Sequence, residues 1–96
     1  VSYDFDIGEE SFNYTYNTSK MFYSAIPEGV RTLNGLTGKQ SIKPLLSIYN
    51  YMVENRVECL QYEPSNGWGS YQGSLDLIHK LTKAALNNLD EIWEVS

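Results

Sequence analysis

The chain predicts an α+β fold of two layers, an N-terminal β-hairpin plus a C-terminal strand packed on two antiparallel α-helices. Three observations predict it. Apolar residues alternate with polar ones over residues 2–17, the period of half-buried strands. Apolar residues then recur every three or four positions over residues 42–61 and 71–87, the period of amphipathic helices. Pro64-Ser65-Asn66-Gly67-Trp68-Gly69 breaks the chain between them, so the two helices should pack antiparallel. Their shared apolar face needs a cover, which the aromatic face of the hairpin supplies. The 96 residues make a single domain, 1–96. A chain this long buries roughly two-thirds of its unfolded surface, enough for one modest core.

Tyr3, Phe5 and Ile7 form the inward face of the first strand. Gly8-Glu9-Glu10-Ser11 reads as a turn. Phe12, Tyr14 and Tyr16 face the core from the second strand, with Asn13, Thr15 and Asn17 on its other face. Thr18 or Ser19 is placed to cap a short helix through Ala25, with Met21, Phe22, Ala25 and Ile26 as its stripe. Residues 27–40, with Gly29, Gly35 and Gly38, read as a connecting loop.

Thr37 and Gln40 have the spacing of a capping box, but a helix beginning at Gly38 would enclose Pro44. Ser41 as the cap puts Pro44 in the first turn. The expectation is a helical turn near 38–41 and a main helix over 42–61. Its stripe is Ile42, Leu45, Leu46, Tyr49, Met52, Val53, Val57 and Leu60. Ser70 caps the second helix, 71–87, whose face is Tyr71, Leu75, Ile78, Leu81, Ala85 and Leu89, widened by Leu77 and Ala84. Ile92, Trp93 and Val95 suit a closing strand over 91–95. Asp4 and Asp6 would repel Glu91 and Glu94, so a pairing with these acids in solvent is expected.

Composition narrows the function classes. Hydrophobic residues are 42%, charged residues 20% and the formal charge is -5, which argues against general nucleic-acid binding. The charge is uneven: Asp4, Asp6, Glu9 and Glu10 open the chain, whereas Lys20, Arg31, Lys39 and Lys43 outnumber Glu28 in the next stretch. That stretch could hold a small anion. With one cysteine, Cys59, and one histidine, His79, neither an intrachain disulfide nor a two-histidine metal motif can form. No metal or cofactor is expected. The N-terminus lacks the basic and apolar regions of a signal peptide, and no apolar run is long enough for a bilayer. Neither secretion nor membrane insertion is expected.

Four segments carry candidate chemistry. Asn66-Gly67-Trp68-Gly69-Ser70-Tyr71 offers planar faces at Trp68 and Tyr71 for stacking, and a helix N-terminus at Ser70 for an anion. No P-loop spacing is present, and a plain connection with Trp68 plugging the core is the alternative. On the hairpin, Asn13, Thr15 and Asn17 line one face with amides and a hydroxyl suited to hydrogen-bonding a ligand edge, with Tyr14 as a further candidate, and a plain solvent-facing strand is the alternative. Both Asn13-Tyr14-Thr15 and Asn17-Thr18-Ser19 match the glycosylation pattern, which is discounted without a secretory signal. In Gly35-Leu36-Thr37-Gly38-Lys39, Gly38-Lys39 precedes a helix and could meet a phosphate, the alternative being a capped helix start with a solvated lysine. Tyr23 sits where a ligand or partner could reach it, whereas Tyr3, Tyr14, Tyr16 and Tyr49 have core spacing. His79 three residues after Asp76 could pair with it, but no nucleophile signature accompanies them, so the chain reads as a binding protein rather than an enzyme. Cys59 reads as core. Asp4 and Asp6 alone are weak metal ligands.

The segments Phe12-Asn13-Tyr14-Thr15-Tyr16-Asn17, Met21-Phe22-Tyr23, Gly35-Leu36-Thr37-Gly38-Lys39 and Asn66-Gly67-Trp68-Gly69-Ser70-Tyr71-Gln72-Gly73 also resemble a family of small proteins encoded by tailed bacteriophages. The likeness runs across nearly the whole chain. It implies a phage accessory protein in the host cell cytoplasm and supplies no catalytic residues. Two roles fit it. One is binding of a small anionic, nucleotide-like ligand without turnover, sequestering a host immune signal. The other is a protein-interaction module that inhibits a host defence or regulatory protein. The composition allows a homo-oligomer in either case.

Overall fold

The computed structural model describes residues 2–96. Tyr3, Phe5 and Ile7 are buried and drive β1 (Ser2–Ile7) onto the core. β1 pairs antiparallel with β2 (Glu10–Thr15), Ile7 opposite Glu10, so only Gly8 and Glu9 form the loop. Gly8 has φ 57 and no non-glycine among the described residues has positive φ, which makes this a type II′ hairpin turn. The turn is therefore shorter than expected, and Glu10 and Ser11 belong to the strand.

Tyr16 leaves the sheet. Residues Tyr16–Thr18 form a 3-10 turn that leads into α1 (Ser19–Ala25). Neither expected cap acts on α1. Ser19 Oγ donates to the Tyr16 carbonyl at 2.6 Å. Thr18 is fully buried and its Oγ1 makes no hydrogen bond among the described residues. A second 3-10 turn, Gly29–Leu33, replaces part of the expected loop because Val30 and Leu33 are fully buried.

α2 (Gly38–Glu54) starts at Gly38 and encloses Pro44, which corrects the expected start at Ser41. Thr37 and Gln40 complete a capping box, with Gln40 N donating to Thr37 Oγ1 at 3.1 Å and Thr37 N donating to Gln40 Oε1 at 3.0 Å. Gly38 N and Lys39 N donate to the Glu91 and Leu89 carbonyls at 2.9 and 3.0 Å. These four bonds offset the roughly 3 kcal/mol a proline costs inside a helix. The helix breaks at Asn55, whose Nδ2 donates to the Tyr51 carbonyl at 2.9 Å, and α3 (Arg56–Leu60) follows.

The buried face of α2 is Ser41, Leu45, Ile48 and Met52. Leu46, Tyr49, Val53 and Val57 stand 47%, 36%, 49% and 74% exposed, so this half of the expected stripe is outside the core. α4 (Tyr71–Asn87) has the expected bounds and cap, and it buries the expected face except Leu89. Gly38 lies against the Ala85 and Asn88 carbonyls at one end, and Met52 meets Tyr71 at the other, so α2 and α4 run antiparallel.

β3 (Glu94–Val95) completes a sheet of order β2-β1-β3. It is shorter than expected because residues 91–93 pair elsewhere. Trp93 N donates to the Leu36 carbonyl and Gly35 N to the Trp93 carbonyl, both at 2.9 Å. Trp93 is fully buried, and its Nε1 donates to Ser41 Oγ at 2.9 Å. The register places Asp6 opposite Glu94 on the sheet face away from Phe5 and Val95, so the acids face solvent but adjoin one another. Glu94→Lys is therefore expected to stabilise the fold by about 0.5 kcal/mol, read as a higher urea midpoint that declines with added salt. An unchanged midpoint counts against the register.

Candidate functional site

The hairpin end and the loop before α4 meet at an open cleft of about 430 Å³ lined by Ser2, Asn13, Thr15, Asn17 and Trp68. Its size lies in the range of small-molecule sites, about 300–1,000 Å³. Strand alternation puts Ser2, Asn13 and Thr15 on the solvent face of the sheet, with Ser2 opposite Thr15. Asn13 Nδ2 is held by Ser2 Oγ at 2.9 Å, the Tyr3 carbonyl at 3.0 Å and Asp4 Oδ1 at 2.9 Å, which fixes the orientation of its amide. Asn17 Nδ2 donates to the Trp68 carbonyl at 3.3 Å, and Trp68 N donates to Asn66 Oδ1 at 2.9 Å. Asn66 thus shapes the loop that presents the indole.

Trp68 is 71% exposed, so it is not a core plug. Gly69 allows the loop to lie this close. Its φ is +97, and a Cβ there would sit 2.7 and 2.9 Å from the Thr15 and Thr18 methyls. None of the five lining residues is charged. The cleft offers an aromatic face, two amides and two hydroxyls, which is the chemistry of ring stacking and edge hydrogen bonding.

Other expected members go elsewhere, each for a physical reason. Tyr71 is only 5% exposed, and its hydroxyl donates to the Met52 carbonyl at 2.7 Å. Burial pushes that hydroxyl's pKa up. It ties α4 to α2 and cannot stack on a ligand. Tyr14 spends its hydroxyl on the start of α4, accepting from Ser70 N at 3.3 Å and lying 3.4 Å from the Ser70 carbonyl and Ser74 Oγ. Ser70 Oγ accepts from Gly73 N at 2.9 Å. Glu63 Oε2 accepts from Tyr71 N at 2.6 Å, so a carboxylate of the chain already sits at this helix N-terminus.

The second expected anion site is also taken. The amides of Gly38, Lys39 and Gln40 all have internal partners. Lys39 lies at the α2 end beside the C-terminus of α4, whereas Trp68 precedes its N-terminus, roughly 25 Å away along the helix. The basic stretch disperses as well. Lys20 lies over the Tyr62 ring at 5.1 Å, and Arg31 lies over Tyr3 and Tyr16 at 5.2 and 5.4 Å. Tyr23 is 44% exposed on α1, outside the cleft.

His79 is exposed, and Asp76 accepts from Gln72 Nε2 at 3.0 Å. Cys59 is fully buried, and burial pushes its thiol up. No group of three His, Cys, Asp or Glu among the described residues is placed to hold a metal. No helix among them is long and apolar enough to cross a membrane. The cleft residue missed from sequence is Ser2. Strand alternation signals its face, but the cross-strand register that sets it opposite Thr15 is tertiary.

No protein-family model, curated protein or solved structure matches the chain. Any functional reading rests on its own residues.

Proposed function

We propose that the protein binds a small nucleotide-like ligand in the Trp68 cleft and performs no chemistry on it. The observation that carries this reading is a 71% exposed indole beside the amides of Asn13 and Asn17 and the hydroxyls of Ser2 and Thr15. Stacking supplies affinity and the amides read the ring edge. With no cation among the lining residues, a phosphate contributes little, so affinity resides in the ring. In this reading the chain is a phage accessory protein that withdraws a host immune signal in the host cytoplasm by mass action.

Titration with nucleosides, nucleotides and cyclic oligonucleotides tests it, read by calorimetry and by tryptophan fluorescence. Trp93 is buried, so quenching reports Trp68. A nucleoside and its monophosphate are expected to bind within about fivefold of each other, since a surface charge contributes about 1 kcal/mol or less. Trp68→Ala is expected to weaken binding roughly 5- to 150-fold, the worth of one stacked base. Absence of binding by the whole panel, with no small molecule released on heat denaturation, defeats the proposal.

The exposure of Trp68 also favours a second reading, an anchor for a host defence or regulatory protein, because buried tryptophans dominate interfaces. A stoichiometric host protein retained by the wild type and lost with Trp68→Ala, without nucleoside binding, decides for that alternative.

A further inference from the structure

α2 is apolar on two faces, and the monomer covers only one. Leu45, Ile48 and Met52 are fully buried, whereas Leu46, Tyr49 and Val53 form a line that is 47%, 36% and 49% exposed. At 100° per residue the two lines lie about 100° apart around the helix. Val57, 74% exposed, follows on α3. A helix with so wide an apolar arc is ordinarily covered on both sides. A hollow of about 450 Å³, whose walls include Ile26, Pro27, Pro44 and Ser47, also draws on α2.

We propose that this face is covered by a second copy of the chain, the two α2 helices packing antiparallel about a two-fold axis near Tyr49. Two features select a second copy. The apolar line is nearly symmetric about Tyr49, with Leu46 on one side and Val53 on the other, so an antiparallel pair sets each Leu46 against the opposite Val53. The charges flanking the line are self-complementary. Lys43 precedes Tyr49 and Glu54 follows it, on the same flank of the helix, so the same pairing sets each Lys43 beside the opposite Glu54. Arg56 does not compete, because its guanidinium lies 5.8 Å from the Tyr71 ring centroid. In a parallel pair the two-fold axis would run along the helices and place this flank on opposite sides of the seam in the two copies, so no Lys43 would meet a Glu54. α2 is about 25 Å long, so one helix face buries less than about 1,200 Å² in total, the class of weak reversible association.

Sedimentation equilibrium on the full chain tests the pairing. The expected result is a monomer–dimer equilibrium with Kd on the order of tens of micromolar. Leu46→Glu is expected to abolish the dimer while far-UV circular dichroism stays unchanged, because Leu46 contributes little to the monomer's core. Lys43→Glu alone is expected to weaken the dimer about fivefold, and adding Glu54→Lys to it to restore the wild-type Kd. A monomer at concentrations on the order of 1 mM overturns the proposal. So does a dimer indifferent to Leu46→Glu, or one that Lys43→Glu weakens and the double swap fails to rescue. Trp68→Ala, outside this face, leaves the dimer intact, so failure of the pairing is separable from failure of ligand binding.

Discussion

Trp93→Ala is expected to lower the unfolding free energy by about 4 kcal/mol, a large fraction of the total for a domain of this size. Trp93 is the largest fully buried side chain. It lies between β3 and the start of α2, and its indole N–H is satisfied by Ser41 Oγ, which itself donates to the Gly38 carbonyl at 2.7 Å. Its backbone bonds both Gly35 and Leu36. Truncation removes the transfer energy of the ring, leaves a cavity, and loosens the segment that holds β3 on β1. Urea denaturation followed by circular dichroism measures the loss. Trp68→Ala is the matched control, expected within about 0.5 kcal/mol of wild type because its ring is exposed. Equal effects of the two variants would mean that the tryptophans have been assigned the wrong roles.

Gly38→Ala is the second large effect, and its sign is the test. At an ordinary exposed helix position this substitution stabilises by up to about 1 kcal/mol. Here a Cβ would collide with the Asn88 carbonyl and come within 2.6 Å of the Ala85 carbonyl. Both are backbone at the C-terminal end of α4, so neither can rotate aside. The expected outcome is destabilisation by about 2–3 kcal/mol and a melting temperature lower by roughly 10–20 °C. A stabilised variant would show that α2 and α4 do not approach this closely.

The local signals read well where one mechanism acted alone. α4 was legible to the residue because Ser70, a clean apolar period and Asn87-Asn88 all agree on its bounds. β1 was legible from alternation. α2 was misread at both ends for different reasons. Pro44 argued for a late start, but the capping box and two carbonyls from residues 89 and 91 outweighed it. Its stripe was read as one face because periodicity sums all apolar residues, and it cannot tell which arc meets α4 and which is left uncovered.

The site divided along the same line. Residue types indicated stacking and amide chemistry at Asn13, Asn17 and Trp68, and the fold brings these three together. The same types at Tyr71, Ser70 and Lys39 were consumed by structure, as core, cap and helix start. No local pattern reveals that Glu63 reaches the Tyr71 amide.

By itself, the amino-acid order determined the hairpin, the presence of two long amphipathic helices and the α+β class, because propensity and period are short-range. It also placed the loop that carries Trp68. Only the tertiary structure decided which helix amides were already bonded, which face of α2 remained uncovered, and that Asp6 adjoins Glu94. Those outcomes depend on contacts between residues tens of positions apart, and a short-range pattern carries no information about them.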